Sequence, residues 1–277
     1  MKHLHFFTSL IARSLLLVSA TFFVSACTKQ DEVKPDLSTS TESLAKSEKT
    51  FYGPAVPLGQ GVGRAWVTVN AAGTPIAMGV EVSAKSVMNQ GSEHTHYTFQ
   101  LPRQVAVPPF DHIDFEWNPQ GHEPNGIYTL PHFDLHFYLI SEAMKASIPF
   151  MAPVVNNMPV FDVFPAPGYL PRGYQMGPGL VPGMGAHSID VTAPEFNGGV
   201  FTRTFIYGSY QGHIIFLEPM FTLAYLQSLG SETIPIRQPQ FVERAGYYPT
   251  SYTISYEKSP KQYRISFDNL VYRPAAQ

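Results

Sequence analysis

Pro131-His132-Phe133-Asp134-Leu135-His136-Phe137-Tyr138-Leu139-Ile140 is the stretch whose alternation decides the fold class. His132, Asp134 and His136 fall on one side of it, and Phe133, Leu135 and Phe137 on the other. A period of two is that of a β-strand with one face on an apolar core. A strand is therefore predicted over 132–140. Immediately upstream, Asp111-His112-Ile113-Asp114-Phe115-Glu116-Trp117 repeats the pattern, with His112, Asp114 and Glu116 opposite Ile113, Phe115 and Trp117.

Working outward, residues 94–101 read as a further strand, and a Pro/Gly loop, Asn118 to Gly126, separates 111–117 from 132–140. Residues 64–70 and 75–83 form a hairpin through Ala71-Ala72-Gly73-Thr74. Residues 200–207 and 213–218 form another around Gly208 to Gly212. A last one joins 250–257 to 262–272 through Lys258-Ser259-Pro260-Lys261. Short helices are expected over 84–89 behind Ser83, over 142–147 behind the N-cap Ser141, and over 220–228. Residues 149–199 are rich in Pro, Gly and Met and show little periodicity. A loop of that length is functional or wraps a surface. At least eight strands with turn signals imply a mainly β domain, an antiparallel β-barrel or sandwich with a few short helices. No internal repeat is visible.

The N-terminus reads as an export signal. Lys2 and Arg13 precede an apolar stretch, Leu15 to Val24, too short to span a bilayer. Val24-Ser25-Ala26-Cys27 then resembles a bacterial lipobox, in which small residues precede a cysteine that receives lipid. The resemblance implies a signal peptide over 1–26 and a membrane anchor on Cys27, with several acyl chains for durable attachment. Thr28 in place of Asp favours the outer membrane by analogy with enteric sorting. Residues 27–50 carry almost no large apolar side chain and read as a flexible tether. Residues 51–277 then form a single β-rich domain. Cys27 is the only cysteine, so no disulfide framework holds the fold. Beyond residue 26 the chain carries 16 basic and 21 acidic residues, a net charge of −5. That balance argues against nucleic acid as a partner, because phosphate binding needs a basic footprint.

Six of the ten histidines lie between residues 94 and 136. Two imidazoles and a carboxylate on one strand face, as at His132, Asp134 and His136, suit Zn²⁺, Fe²⁺ or Mn²⁺. Asp134 could instead orient a ligating ring. His122 in Gly121-His122-Glu123-Pro124, His187 in Gly183-Met184-Gly185-Ala186-His187, and Glu218 before Pro219 complete the candidate metal ligands. The simpler reading makes these histidines the polar wall of a barrel, and Glu218 a solvated strand end. His94 and His96 fit a metal pair or an exposed strand. Asp114 and Glu116 fit acid–base work on sugars, but alternation on a solvated face explains them more cheaply. Gly59-Gln60-Gly61-Val62-Gly63 precedes a strand where a dinucleotide motif must follow one, and no nucleophile elbow occurs.

Gly121-His122-Glu123-Pro124, the stretch Pro131 to Tyr138, Gly183 to His187, Tyr207-Gly208 and Glu218-Pro219-Met220 together resemble a family of uncharacterised secreted bacterial proteins. Its structural representative is a sigma-E-controlled thermophile protein that forms a ring-shaped homo-oligomer. The resemblance spans roughly 52–272. It implies a β-rich exported domain and self-association as a homo-oligomer, and brings no catalytic residues. Three functions follow as expectations. One is a metal site built on His132, His136 and His187. Another is a binding module for an apolar or carbohydrate small-molecule ligand, suggested by 20 Phe and 15 Tyr. The last is a structural part of an envelope assembly.

Overall fold

Alternation along the chain is realised as antiparallel pairing throughout. The computed structural model describes residues 47–276. The expected signal peptide, Cys27 and nearly all of the expected tether lie outside the described residues. In chain order the strands are β1 (Lys49–Tyr52), β2 (Val56–Leu58), β3 (Gly61–Val69), β4 (Pro75–Ser83), β5 (Thr95–Gln100), β6 (His112–Asn118), β7 (His132–Tyr138), β8 (Val154–Val155), β9 (Met158–Pro159), β10 (Tyr174–Met176), β11 (Ala186–Asp190), β12 (Arg203–Tyr210), β13 (His213–Thr222), β14 (Ser231–Pro235), β15 (Gly246–Tyr248), β16 (Ser251–Lys258), β17 (Lys261–Asp268) and β18 (Val271–Arg273). Three short helices are α1 (Ala84–Met88), α2 (Glu142–Ala146) and α3 (Leu223–Ser228). β1 thus takes up Lys49 and Thr50, the last two residues of the expected tether.

The first sheet runs β1-β3-β4-β17-β16-β14, with β2 also on β3, and the second runs β10-β11-β12-β13-β7-β6-β5. Neither returns to its first strand, so the architecture is a sandwich and not a closed barrel. The main core lies between the sheets. Val67, Val80, Ile254 and Ile265 from the first meet Phe115, Phe133, Leu135 and Leu217 from the second. Phe137 stacks on Phe267 across the gap with ring centroids 3.7 Å apart. The apolar sides of the two alternating stretches therefore both face inward, as the sequence pattern predicts.

Their polar sides face outward from the second sheet, but they do not reach water. A second apolar cluster covers them. Tyr138, Ile206, Phe216 and Met220 rise from the sheet and meet Tyr128 of the 119–131 loop with Ile148 and Phe201 of the long 148–201 segment. That segment is not structureless. It contributes β10 and β11 to the sheet edge and a small β8–β9 hairpin. The solvated face expected for Asp114 and Glu116 is thereby overturned, since both carboxylates are buried.

Helix ends follow the expected chemistry in part. Ser141 caps α2 by accepting from the Met144 N–H. Ser83 stands at the N-cap of α1 without such a bond, because its hydroxyl is taken up by Ser86 Oγ and the Val62 N–H. The helix expected over 220–228 begins only at Leu223, with Thr222 as cap. β13 therefore continues through Pro219, and Glu218 is mid-strand and buried, not a solvated strand end. The pairing between β13 and β7 holds at Leu217 and resumes at Met220. It lapses around Pro219, which has no N–H to offer a ladder.

Candidate metal centre

Strand register places the site. β6, β7 and β13 lie side by side, so Asp114 faces His136, Glu116 faces Asp134, and Met220 faces Asp134 from the other side. Glu218 lies opposite Ile206 on β12. His187 on β11 is registered with Gly208 of the same strand. Successive even-numbered positions on β7 thus bring His132, Asp134 and His136 to one buried face, between carboxylates from both neighbouring strands.

Three groups of ligand atoms, each within 4.8 Å of one another, form on this face: His122, His132 and Asp134; His136, His187 and Glu218; and His96, Asp114 and Glu116. All six metal ligands expected from the sequence fall in the first two. They do not form one centre. Four residues on a strand span about 13 Å, so no single ion reaches both His132 and His136. The expectation of one site using His132, His136 and His187 gives way to two separate triads, each of two histidines and one carboxylate.

The first triad shows how the chain aims its ligands. Gly121 has φ +67°, and a Cβ there would stand 2.1 Å from the Tyr128 carbonyl oxygen. Glycine therefore lets the loop close tightly, with the His122 N–H donating to the Tyr128 carbonyl at 2.9 Å. His122 Nδ1 then donates to the Glu123 carbonyl, and His132 Nδ1 to the Leu130 carbonyl, both at 2.7 Å. Each ring keeps its other nitrogen, Nε2, for Asp134, whose two oxygens lie 3.2 Å away, one for each ring. A neutral imidazole whose Nδ1 carries the proton has only a lone pair at Nε2. Lone pairs therefore face carboxylate oxygens, an arrangement that needs a cation or an added proton between them. His132 Nε2 and Asp134 Oδ1 are close, yet neither has a hydrogen-bond partner. Two ligands about 2.1 Å from an ion at the tetrahedral angle stand about 3.4 Å apart, which these separations approach. Asn118 Nδ2 donates to Asp134 Oδ2 at 2.7 Å and holds the carboxylate in place.

The second triad is deeper. His136 Nε2 lies 3.4 Å from Glu218 Oε1, and His187 Nε2 lies 3.9 Å from Glu218 Oε2. His136 Nδ1 faces Glu116 Oε1 at 3.5 Å. Both nitrogens of His136 and one oxygen each of Glu116 and Glu218 lack hydrogen-bond partners. Burial, little countered by the charges nearby, holds the His136 ring down at about 3 and the His187 ring at about 4. Both rings are thus neutral near pH 7, the form in which a histidine ligates metal.

The third triad is already provided with a cation. Lys145 from α2 pairs with Asp114 Oδ2, Thr98 Oγ1 donates to Asp114 Oδ1 at 2.7 Å, and His96 Nε2 stands 2.9 Å from Asp114 Oδ2. No Asp114 oxygen is left without a partner. Burial opposes the Asp114 charge, but His96, Lys145 and Thr98 outweigh it and hold its pKa well below the usual carboxylate range.

Electrostatics separates the remaining acids. Burial also opposes the charge on Asp134, yet the contacts from His122 and His132 hold its pKa low. Burial first, and then repulsion from Asp134, pushes Glu116 up; the same causes, with Glu116 added, push Glu218 well above its ordinary value. Two like charges about 5 Å apart, the cross-strand spacing, repel by about 3 kcal/mol at an effective dielectric constant of 20. The face therefore carries more buried carboxylate than Lys145 alone neutralises.

Glu116 is the site residue that sequence reasoning set aside as solvated. Alternation placed it correctly on the His face, but nothing local showed that a distant segment covers that face. His94 is exposed and meets Glu116 Oε2 at 3.1 Å. His112 is buried, meets Asp111 Oδ1 at 2.8 Å and stacks on Tyr138. His213 pairs with Glu243 at the exposed start of β13. No helix among the described residues is long and apolar enough to cross a membrane. Comparison of the chain with protein-family models, with curated proteins and with solved structures finds no match.

Proposed function

We propose that the chain is an exported lipoprotein, anchored through Cys27 to the outer membrane, whose domain binds a divalent transition-metal ion through His122, His132 and Asp134. The observation that carries the metal reading is the shared geometry of the two rings. Each gives Nδ1–H to a backbone carbonyl and turns Nε2 toward one buried carboxylate. Backbone carbonyls behind ligating rings fix the tautomer and ring orientation that a metal requires. Export and anchoring are supported by the Val24-Ser25-Ala26-Cys27 sequence and by the absence of any other cysteine.

Two histidines and one carboxylate, with a coordination position left open, suit Zn²⁺ for water activation or Fe²⁺ for oxygen chemistry. His122, with 36% of its side chain exposed, forms the solvent side of the triad, while His132 and Asp134 form its floor. Asn118 keeps Asp134 from rotating, and Phe201 packs edge-on against the His132 ring. The full chain, purified without a histidine tag, is expected to carry Zn, Fe or Mn on elemental analysis. The His122→Ala/His132→Ala variant is expected to lose that metal from this triad. Wild-type protein that stays metal-free after reloading with each of the three ions would overturn the reading.

A further inference from the structure

We propose that His136, His187 and Glu218 hold a second divalent transition-metal ion, so that the buried face carries two centres side by side. The proposal rests on the reading of the first triad as a metal site. The ligand sets have the same composition, and no residue belongs to both. Each ion would therefore be bound by its own residues, without a bridging carboxylate.

The geometry of this second set stands by itself. His136 and Glu218 are each 1% exposed, and both ring nitrogens of His136 and Glu218 Oε2 have no partner. A buried polar group without a partner costs on the order of 1–3 kcal/mol, and more when charged. The chain meets that cost at Asp114, on the same face and one strand over from His136, by supplying Lys145. Among the described residues no lysine or arginine reaches Glu218, whose salt-bridge contacts there are His136 and His187. A proton on Glu218 would serve one ring only, whereas a cation from solution satisfies both imidazole lone pairs and the carboxylate together.

The surroundings hold these ligands in place. Glu116 stands behind His136 at Nδ1. Phe216 packs edge-on against both rings, with centroids 4.8 Å from His136 and 5.3 Å from His187. The ladder between β7 and β13 lapses where His136 and Glu218 stand opposite each other. His187, 24% exposed at its side chain, gives the ion a route from solvent.

The test is Zn²⁺ titration of the metal-stripped full chain against a chromophoric chelator. Wild type is expected to bind two equivalents, and the Glu218→Gln/His187→Ala and His122→Ala/His132→Ala variants one each. Glu218→Gln alone keeps the side-chain shape and is expected to weaken one equivalent by about a hundredfold, which guards against misfolding of the double variant. One equivalent in wild type, kept by Glu218→Gln/His187→Ala and lost with His122 and His132, would overturn the second centre and leave the first. One equivalent lost only with Glu218 and His187 would overturn the first reading and leave this set as the sole site. A water-mediated hydrogen-bond network in place of an ion would show as a single equivalent in wild type whose affinity is unchanged in Glu218→Gln, and would also overturn the proposal.

Discussion

Gly208→Ala tests whether a missing side chain shapes the second triad. Gly208 lies between Phe216 on β13 and His187 on β11. Phe216 leans over the bare glycine, so a Cβ built at 208 would stand 2.0 Å from Phe216 Cε1 and 2.1 Å from Cζ. To restore ordinary contact at 3.4 Å the ring must retreat by about 1.4 Å. It is fully buried, with His136, His187 and Tyr138 packed around it. Overpacking of this kind costs about 1–3 kcal/mol, and the absence of room places this case at the upper end. For a domain of this size that corresponds to a fall in Tm of roughly 5–10 °C. Differential scanning calorimetry of the metal-free protein reads the stability term. Chelator competition reads the site: Phe216 is pushed off Gly208, away from His187 and toward the His136 side, so Zn²⁺ affinity should fall at that triad and hold at His122, His132 and Asp134. A variant that melts within about 1 °C of wild type would refute the packing argument, since a real overlap cannot be absorbed so cheaply.

Lys145→Met should cost about 3 kcal/mol or more in urea denaturation at neutral pH, because it leaves Asp114 charged, buried and without its cation. Adding Asp114→Asn should recover much of that loss, and strictly additive costs would show that the pair is not coupled. The first triad should bind Zn²⁺ in competition with protons. Burial lowers the His122 pKa, but the hydrogen bond and charge of Asp134 more than offset it, and the net shift is upward. Below that raised pKa the metal-free ring is protonated and must give up its proton to ligate, so Zn²⁺ affinity should rise from about pH 6 to about pH 8. Calorimetry in buffers of different ionisation enthalpy should show proton release that shrinks as pH rises. Affinity and proton release that stay flat across that range would contradict the assignment of His122 as a ligand.

The fold was legible where one rule sufficed. Period-two alternation at 112–117 and 132–138 assigned every side chain of both strands to its correct face, and the three expected hairpins correspond to β3–β4, β12–β13 and β16–β17. It failed where a local signal met a tertiary one. Pro219 reads as a strand end, yet pairing with β12 carries β13 through it. The six ligand residues were legible as chemistry, but their partition into two triads was not. It depends on the 3.3 Å rise of a strand and on which loop returns to which position. Glu116 was lost for a similar reason. The apolar cluster on that face draws on residues from 127 to 220, and no pattern within β6 announces it.

The second triad also bears on how the long 148–201 segment stays in place. This chain has no pair of cysteines with which to fasten it. An ion bound by His136 and His187 would cross-link a loop of roughly fifty residues. A covalent bridge closing a loop of that length would restrict the unfolded chain by about 4 kcal/mol. Unlike a disulfide, such a clasp opens when the metal is withdrawn. Supply of the ion, not its redox state, would then decide whether the wrap over the polar face is fastened or free.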